Sequence, residues 1–206
     1  MTSMERMFAL YQATHNILDN RLEGDLVECG VWKGGSSLMM ALILKSRNIS
    51  DKTLFLYDTY EGMSAPTADD VEYSGKPASD LLAQAKIEVQ ESVWCYSSID
   101  EVKQNLLLSG LPASQVVFVK GKVEDTITEK NHKKIALLRL DTDWYESTKH
   151  EMVFLYPALV SKGVLIIDDY GHWQGSQKAV DEYFANEDYK PLLNRIDYTG
   201  RLAIKP

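Results

Sequence analysis

Runs of apolar residues alternate with amphipathic stretches along the chain, and this alternation predicts its architecture. Five apolar runs are interpreted as buried strands: DLVECGV (25–31), LFLYD (54–58), VVFVKG (116–121), IALLRLD (135–141) and GVLIIDD (163–169). Apolar residues at helical spacing predict helices over 37–47, 99–109, 145–161 and 175–186. Ser36 or Ser37 is available to cap the first of these helices. Near-continuous apolar strands that alternate with helices are typical of a parallel sheet with helices on both faces.

The two ends of the chain depart from this alternation. Apolar residues recur at roughly helical spacing from Met4 to Ile17, so residues 1–21 are expected to form an amphipathic N-terminal helix. Near the other end, YKPLLNRID (189–197) and YTGRLAIKP (198–206) have the character of two strands joined by a short turn at Gly200. A hairpin of this kind predicts an antiparallel edge to the sheet.

A long connection separates Asp58 from the helix predicted at 99. It is rich in Ser, Pro, Gly and charged residues, and it contains one possible helix, LLAQAKIEV (81–89). Connections of about forty residues inside a compact domain are usually functional. We therefore expect residues 59–98 to be a lid or substrate loop inserted into a single domain that spans 1–206.

Composition narrows the class of protein. The chain has 206 residues, 45% of them hydrophobic and 25% charged, which is enough for one domain with a filled core. A net charge of -8 without any basic run argues against a nucleic-acid partner. The N-terminus does not resemble a signal peptide and no apolar run is long enough to span a membrane, so a cytoplasmic protein without a membrane partner is expected. Cys29 and Cys95 are expected to be thiols rather than a disulfide or a zinc site.

The first strand leads into a glycine turn with the sequence ECGVWKGG. In an open α/β sheet, ligands bind at the carboxyl ends of the strands, where such a turn presents backbone amides. The spacing differs from the dinucleotide fingerprint G-x-G-x-x-G, which argues against a nicotinamide-dependent oxidoreductase. It is closer to the turn that holds S-adenosylmethionine, and Asp58, at the end of the second strand, could bind the ribose. The alternative is that Gly30, Gly34 and Gly35 only make a tight turn and that Asp58 only caps the loop.

Two strands end in acidic residues. Asp141 and Asp143 end the fourth strand, and Asp168 and Asp169 end the fifth. Parallel neighbours would bring these carboxylates to the crevice beside the glycine turn, where oxygen ligands suit Mg²⁺ or another hard divalent cation. Asp143 stands just before a predicted helix and is interpreted as its N-cap. Asp141, Asp168 and Asp169 are therefore the predicted metal ligands, with capping as the alternative.

A histidine follows the second acidic pair, in the loop YGHW. His172 could be a general base or a substrate contact, and the alternative is an exposed loop residue. The other histidines are predicted to lie at the surface: His15, His132 and His150.

Several long strings in the chain resemble one known family. They include LVECGVWKGGSS, LYDTYEGMSAPT, VVFVKGKVEDT, LLRLDTDWYESTKHE and LIIDDYGHWQGSQKAVDEYF. The resemblance is to the macrocin O-methyltransferase-like family, metal-dependent enzymes that methylate sugar hydroxyls in macrolide and aminocoumarin antibiotics. It covers nearly the whole chain from Leu22 onward. It implies a Rossmann-like class I methyltransferase fold, with a seven-stranded, mostly parallel sheet whose last strand is antiparallel.

The resemblance also implies roles for particular residues. The S-adenosylmethionine site would include Glu28, Gly30, Gly34 and Ser36 of the first turn, Asp58 at the ribose, and Gly121, Lys122 and Val123 at the adenine. The magnesium ligands would be Asp141, Asp168 and Asp169. Asp141 would also be a proton acceptor, beside the candidate His172.

Two departures from related proteins limit these expectations. Relatives that act on antibiotics carry a longer N-terminal region, so the acceptor here is expected to be smaller or held by a partner subunit. The N-terminal helix leaves homo-oligomer contacts open. Catechol-type methyltransferases are similar in architecture but carry a lysine base where this chain has Trp144.

The leading hypothesis is an S-adenosylmethionine- and Mg²⁺-dependent O-methyltransferase of a small hydroxylated acceptor, such as a sugar of a glycosylated metabolite. The alternatives are a methyltransferase of a catechol-like hydroxyl, an NAD-dependent oxidoreductase, and a binding module without turnover. The acidic strand ends argue against the last of these, because converging carboxylates without a metal would cost stability.

Overall fold

The computed structural model describes residues 2–86 and 92–206. Its strands are β1 (Asp25–Cys29), β2 (Leu54–Asp58), β3 (Val116–Lys120), β4 (Ile135–Leu140), β5 (Leu159–Ile167), β6 (Asn194–Arg195) and β7 (Arg201–Ile204). Its α-helices are α1 (Met4–Asp19), α2 (Gly35–Ser46), α3 (Ala78–Gln84), α4 (Ile99–Leu107), α5 (Val123–Thr126), α6 (Tyr145–Phe154) and α7 (Gln174–Ala185). Short 3₁₀ turns occupy Ala113–Gln115 and Tyr156–Ala158.

The strands form one seven-stranded sheet in the order β3-β2-β1-β4-β5-β7-β6. Strands β1 to β5 pair in parallel, and β7 pairs antiparallel with both β5 and β6. Six strands therefore point one way and β7 the other, which confirms the predicted sheet and its hairpin edge. The register aligns Glu28 of β1 with Arg139 of β4, and this alignment matters for the site.

Two apolar cores cover the two faces of the sheet, as predicted. Successive residues of a strand point to opposite faces, so Leu26 packs in the core beneath α1, α2 and α4, whereas Val27 packs in the core beneath α5, α6 and α7. In β4, Leu137 and Leu138 divide in the same way. The helices thus bury both faces and leave the strand ends as the open edge of the fold.

The N-terminal helix α1 confirms its prediction and packs against α2, β4 and β5. The Ser3 hydroxyl caps it by accepting a hydrogen bond from the Arg6 amide at 3.2 Å. Its buried face includes Leu10, Ala13 and Ile17, and also Arg6, whose side chain is 8% exposed. A charged residue on the buried face of this helix requires a buried partner.

Two details of the predicted helices are wrong. The helix predicted over 145–161 ends at Phe154 and is followed by a 3₁₀ turn, and β5 begins at Leu159. Pro157 accounts for this, because proline lacks an amide hydrogen and its ring obstructs the preceding turn. Helix α2 is capped by Gly34 rather than by a serine, and Ser36 and Ser37 lie within the helix.

The connection between β2 and α4 is partly described. Its segment around Val71 is joined to the start of α7, since the Gln174 amide donates to the Val71 carbonyl at 2.9 Å. Helix α3 packs Leu82 against Trp144 and Trp173. The helix predicted at 81–89 ends at Gln84, and residues 87–91 lie outside the described residues. The lid role of 59–98 stays a prediction.

Among the described residues, no helix combines the length and the apolar character needed to cross a membrane. Cys29 is buried, Cys95 is half-buried, and both are free thiols, as predicted.

Candidate active site

A cavity of about 310 Å³ opens at the carboxyl ends of the parallel strands. Nine of the predicted site residues line it: Gly30, Asp58, Gly121, Lys122, Val123, Asp141, Asp168, Asp169 and His172. This is where ligands bind in open α/β sheets. The topology therefore brings together residues from the ends of five strands that are far apart in the sequence.

Three residues predicted to contact the cofactor do not line this cavity: Glu28, Gly34 and Ser36. Glu28 is buried below the turn, where it accepts hydrogen bonds from Arg139 Nη1 at 2.7 Å and from the Ser37 hydroxyl. Burial raises the pKa of Glu28, although Arg139 opposes this. Through these contacts Glu28 supports the glycine turn from below. A contact between Glu28 and a cofactor stays a prediction.

The first glycine turn is held by close backbone packing and by Asp58. Gly30 has a φ of +80°, and a Cβ at this position would lie 2.0 Å from the Asp141 carbonyl oxygen. Asp58 Oδ2 accepts hydrogen bonds from the amides of Val31 at 2.6 Å and Trp32 at 3.0 Å. Its Oδ1 accepts from the Tyr60 amide at 2.6 Å. The contacts of a loop cap are thus present, and the ribose contact stays a prediction.

The acidic strand ends divide into two groups. Asp141, Asp143 and Asp169 each offer a ligand atom, and these atoms lie within 4.8 Å of one another. Asp168 is 2% exposed and instead lies between two arginines, accepting from Arg139 Nη2 at 2.7 Å through Oδ1 and from Arg6 through Oδ2. The structure therefore groups Asp143 with the candidate ligands and sets Asp168 apart.

The prediction that Asp143 caps α6 is wrong. The backbone of Asp143 has a φ of +69°, a conformation that aspartate tolerates better than most residues, and its side chain hydrogen-bonds to Asp169. The N-cap of α6 is Trp144, which makes no side-chain cap. Asp70, from the long connection, accepts a hydrogen bond from the Tyr145 amide at 2.7 Å and fills that role.

The carboxyl groups of Asp141, Asp143 and Asp169 lie close together, so their negative charges would repel one another. Burial, together with the neighbouring Asp141 and Asp168, raises the pKa of Asp143 to about 7. Burial and the facing carboxylates also raise the pKa of Asp141 and of Asp169 well above the usual range. Asp169 Oδ2 is buried and has no hydrogen-bond partner among the described residues. Clustered oxygen donors with one unpartnered atom fit a hard divalent cation, which would stabilise the ionised forms.

Sequence reasoning missed the two arginines that neutralise the rest of the site. Arg139 is the second-to-last residue of β4, is 2% exposed, and is 2.7 Å from a carboxylate oxygen of each of Glu28, Asp141 and Asp168. Its signal was a lone arginine inside an apolar run, two residues before Asp141 and therefore on the same side of the strand. Arg6 carried a similar signal, since it shares a helix face with the buried Leu10.

His172 is half-buried at the mouth of the cavity. Its Nδ1 is 3.3 Å from the Tyr198 hydroxyl, and its Nε2 is 3.7 Å from Glu72 Oε1. Burial lowers the pKa of His172, with Glu72 opposing, so the neutral, proton-accepting form is favoured at neutral pH. A general base is consistent with this position.

The other three histidines, which were predicted to lie at the surface, are all partly buried. His132 is the clearest case. Its Nε2 is 2.8 Å from the Tyr57 hydroxyl, its ring contacts Phe55 edge-on, and burial lowers its pKa. The charged loop around it therefore folds back onto the sheet.

Comparison with known proteins gives one consistent result. The profile of the macrocin-O-methyltransferase (TylF) family matches residues 1–203. The demethyldecarbamoylnovobiocin O-methyltransferase of Streptomyces niveus is 32% identical over 200 residues, covering 97% of this chain and 73% of that relative. The mycinamicin III 3''-O-methyltransferase of Micromonospora griseorubida is 30% identical over 201 residues, covering 97% of this chain and 76% of that relative.

Solved structures agree with the sequence relatives. The O-methyltransferase NovP superimposes with a TM-score of 0.85 at 31% identity, covering 98% of this chain and 80% of that chain. The calicheamicin methyltransferase CalS11 superimposes with a TM-score of 0.72 at 17% identity, covering 98% of this chain and 80% of that chain, and shares the fold. The chain therefore belongs to the macrocin O-methyltransferase family and is an O-methyltransferase with the class I methyltransferase fold.

Proposed function

We propose that the chain uses S-adenosylmethionine and a divalent cation, Mg²⁺ or a similar hard ion, to methylate a sugar hydroxyl of a glycosylated small molecule. The observation that carries this proposal is the cluster of Asp141, Asp143 and Asp169 in the cavity beside His172. A relative at 31% identity over 97% of the chain, from Streptomyces olivaceus, is named as a 4'-O-methyltransferase of a rhamnosyl-tetracenomycin. The names of this and the other relatives support a glycoside as the acceptor.

The cavity offers separate places for donor and acceptor. The side near β1, β2 and β3 is lined by Trp32, Asp58 and Lys122, and the turn amides there are already ordered by Asp58. S-adenosylmethionine would supply a methyl group on a positively charged sulfur, ready for direct displacement by an oxygen. The side near β4 and β5 carries the carboxylates and His172. Positioning the hydroxyl in line with the methyl group is then the main requirement.

The residues that would hold the cation are Asp141, Asp143 and Asp169. When bound, it would lower the pKa of an acceptor hydroxyl and orient its oxygen. Asp168 is assigned a supporting role, because both its oxygens already accept hydrogen bonds from arginines. This ligand set replaces the predicted Asp168 by Asp143.

Two side chains are candidates for accepting the hydroxyl proton. Asp141 Oδ2 is held by Arg139 Nη1 at 2.7 Å, and although burial raises the pKa of Asp141, a bound cation would occupy its carboxylate and favour the ionised form. His172 is favoured by burial in its neutral form and lines the same cavity. We therefore assign His172 as the proton acceptor and Asp141 as a ligand and orienting group.

A catechol-like acceptor is the second candidate. The lysine base of catechol-type enzymes is replaced here by Trp144, which is 3% exposed and donates its Nε1 hydrogen to the Ser64 carbonyl at 3.0 Å. This position therefore supplies no base. Comparing methyl transfer to catechol and to a simple rhamnoside distinguishes the two acceptor classes.

The proposal is tested by transfer of a labelled methyl group from S-adenosylmethionine to glycosides, with Mg²⁺ and with a chelator. Asp141→Asn and Asp169→Asn should abolish transfer while changing affinity for S-adenosylhomocysteine by no more than a few-fold. Asp100→Asn, at an exposed position in α4, is the matched control. Undiminished transfer in chelator, or in both site variants, would overturn the metal mechanism. A thermal shift with NAD but none with S-adenosylhomocysteine would overturn the donor assignment.

A further inference from the structure

Three aromatic rings form an exposed cluster at the mouth of the cavity. Tyr73 is 64% exposed and Tyr198 is 54% exposed, with His172 in contact with both. The ring centroids are 5.6 Å apart for Tyr73 and His172, 6.0 Å for His172 and Tyr198, and 6.1 Å for Tyr73 and Tyr198. We call these three residues the ring cluster. Exposed contiguous apolar surface beside a cavity is typical of a binding site.

The backbone beneath the ring cluster is fixed by contacts between three separate segments. The Tyr73 amide donates to the His172 carbonyl at 2.8 Å, which joins the long connection to the loop after β5. The Gly171 amide donates to the Thr199 carbonyl at 2.9 Å, and a Cβ on Gly171 would lie 2.1 Å from the Tyr198 carbonyl oxygen. The backbone that carries the rings is thus fixed before any ligand arrives, which reduces the entropic cost of binding.

The ring cluster adjoins the catalytic cavity, because two of its residues, His172 and Tyr198, also line the cavity. A cavity of about 310 Å³ is at the lower end of small-molecule sites. A donor with an adenosine group and a glycoside with two rings need more room than this. The part of the acceptor beyond the methylated sugar would then extend outward, and His172 and Tyr198 lie where the cavity meets the ring cluster.

We propose that the ring cluster binds the second ring of the acceptor, the one attached to the methylated sugar, through a flat apolar face. This rests on the proposed function, since it takes a glycoside as the acceptor. The face can belong to an aromatic aglycone or to the carbon-hydrogen face of another sugar. Aromatic side chains such as Tyr73 and Tyr198 offer matching faces at little cost in side-chain entropy.

The test compares ligands with and without the second ring. Dissociation constants are measured by titration calorimetry for methyl α-L-rhamnopyranoside, p-nitrophenyl α-L-rhamnopyranoside and the methyl glycoside of a rhamnosyl disaccharide, with S-adenosylhomocysteine and Mg²⁺ present. In the unaltered protein, at least one two-ring ligand should bind about three- to tenfold more tightly than the one-ring ligand. Whichever two-ring ligand gains affinity identifies the second ring as aromatic or sugar.

Variants of the ring cluster test whether it causes the tighter binding of the two-ring ligand. Tyr73→Ala and Tyr198→Ala should each reduce the difference in affinity between the two-ring and one-ring ligands, and the double variant should remove this difference. Tyr189→Ala, at a tyrosine that is 57% exposed and does not line the cavity, should keep it. Thermal shifts with S-adenosylhomocysteine show whether each variant is folded and binds the cofactor product. With an accepted substrate, Tyr73→Ala, which alters a ring outside the cavity lining, should raise KM while kcat stays within about twofold.

Two results would overturn the proposal: no gain from either second ring in the unaltered protein, or a gain that the double variant retains. Absence of methyl transfer to all three ligands would instead count against the proposed glycoside acceptor, since the binding comparison does not depend on turnover.

Discussion

Arg6, in the first turn of α1, forms a buried ion pair with Asp168, which follows β5 and is 162 positions away in the sequence. Arg6 Nε also lies 3.0 Å from Asp197 Oδ2, in the turn that precedes β7. Arg6 therefore joins the N-terminal helix and the C-terminal hairpin to the base of the site. Arg139 binds the other oxygen of Asp168, so two positive charges neutralise this carboxylate.

Arg6→Ala should destabilise the protein strongly. Asp168 is 2% exposed, and removing one partner of a buried ion pair typically costs about 3–5 kcal/mol because the other charge is left uncompensated. Urea unfolding gives the free energy of unfolding. Arg47→Ala is the matched control, since Arg47 pairs with Asp19 at 2.6 Å on the surface and should contribute about 0–1 kcal/mol. Equal losses in the two variants would contradict a structural role for the buried pair.

The sheet was predictable because its strands are apolar on both faces, and the parallel order followed from the helices between them. The sequence predicted that the acidic residues at the strand ends lie near one another, but it did not predict which of them form the cluster of candidate ligands. Which carboxylates face one another depends on Arg139 and Arg6, whose partners lie in distant segments. Asp143 was misassigned because its left-handed backbone turns its side chain away from α6, and Asp70 takes over the first-turn amide. Neither the turn nor the long-range cap has a local sequence signal.

Metal affinity should distinguish the two possible ligand sets. Asp143→Asn should weaken Mn²⁺ or Mg²⁺ binding by about tenfold or more, because it removes a charged ligand from the grouped carboxylates. Asp168→Asn should lose less metal affinity and more stability, since it disrupts the contacts with Arg6 and Arg139. Calorimetric titration with metal and urea unfolding measure the two effects. The opposite ranking of metal affinities would restore Asp168 as a ligand in place of Asp143.

Stabilisation by Mg²⁺ should increase with pH. The pKa of Asp143 is raised from its ordinary value of 3.8 to about 7, so the folded state holds a proton that the unfolded state releases. Stability without metal therefore falls as the pH rises from 3.8 to about 7. A cation binds the ionised carboxylate, so its thermal shift should be larger at pH 8 than at pH 6. Asp143→Asn should weaken this pH dependence, and an unchanged dependence in the variant would show that another group controls it.

Two glycines of the first turn should respond in opposite ways to alanine. Gly30→Ala should cost more than about 3 kcal/mol, because Gly30 has a φ of +80° and its new Cβ would meet the Asp141 carbonyl oxygen. Gly35→Ala places a Cβ in open space at the start of α2 and should stabilise by about 0.4–1 kcal/mol. Thermal unfolding of both variants measures the contrast. A mild effect at Gly30 would show that the turn is looser than its contacts indicate.

Glu151 is buried next to the site, and its carboxyl group should be protonated, and therefore uncharged, in the folded protein. It is fully buried in α6, its Oε1 accepts a hydrogen bond from the Thr142 hydroxyl at 3.0 Å, and its Oε2 has no hydrogen-bond partner among the described residues. Burial raises its pKa well above the usual range. The folded state therefore retains a proton that the unfolded state releases above 4.5, and stability declines as the pH rises beyond that value.

Glu151→Gln, which is neutral and nearly the same shape, should remove this decline. Unfolding free energies at pH 5 should be similar for the variant and the unaltered protein. Towards pH 8 the variant should become the more stable, with the difference growing by up to about 1.4 kcal/mol per pH unit until the pKa of the folded state is reached. Glu146→Gln, at an exposed position in the same helix, is the matched control and should follow the unaltered protein. Parallel curves for Glu151→Gln and the unaltered protein would show that Glu151 is ionised in the folded state, balanced by a charge that its described neighbours do not supply.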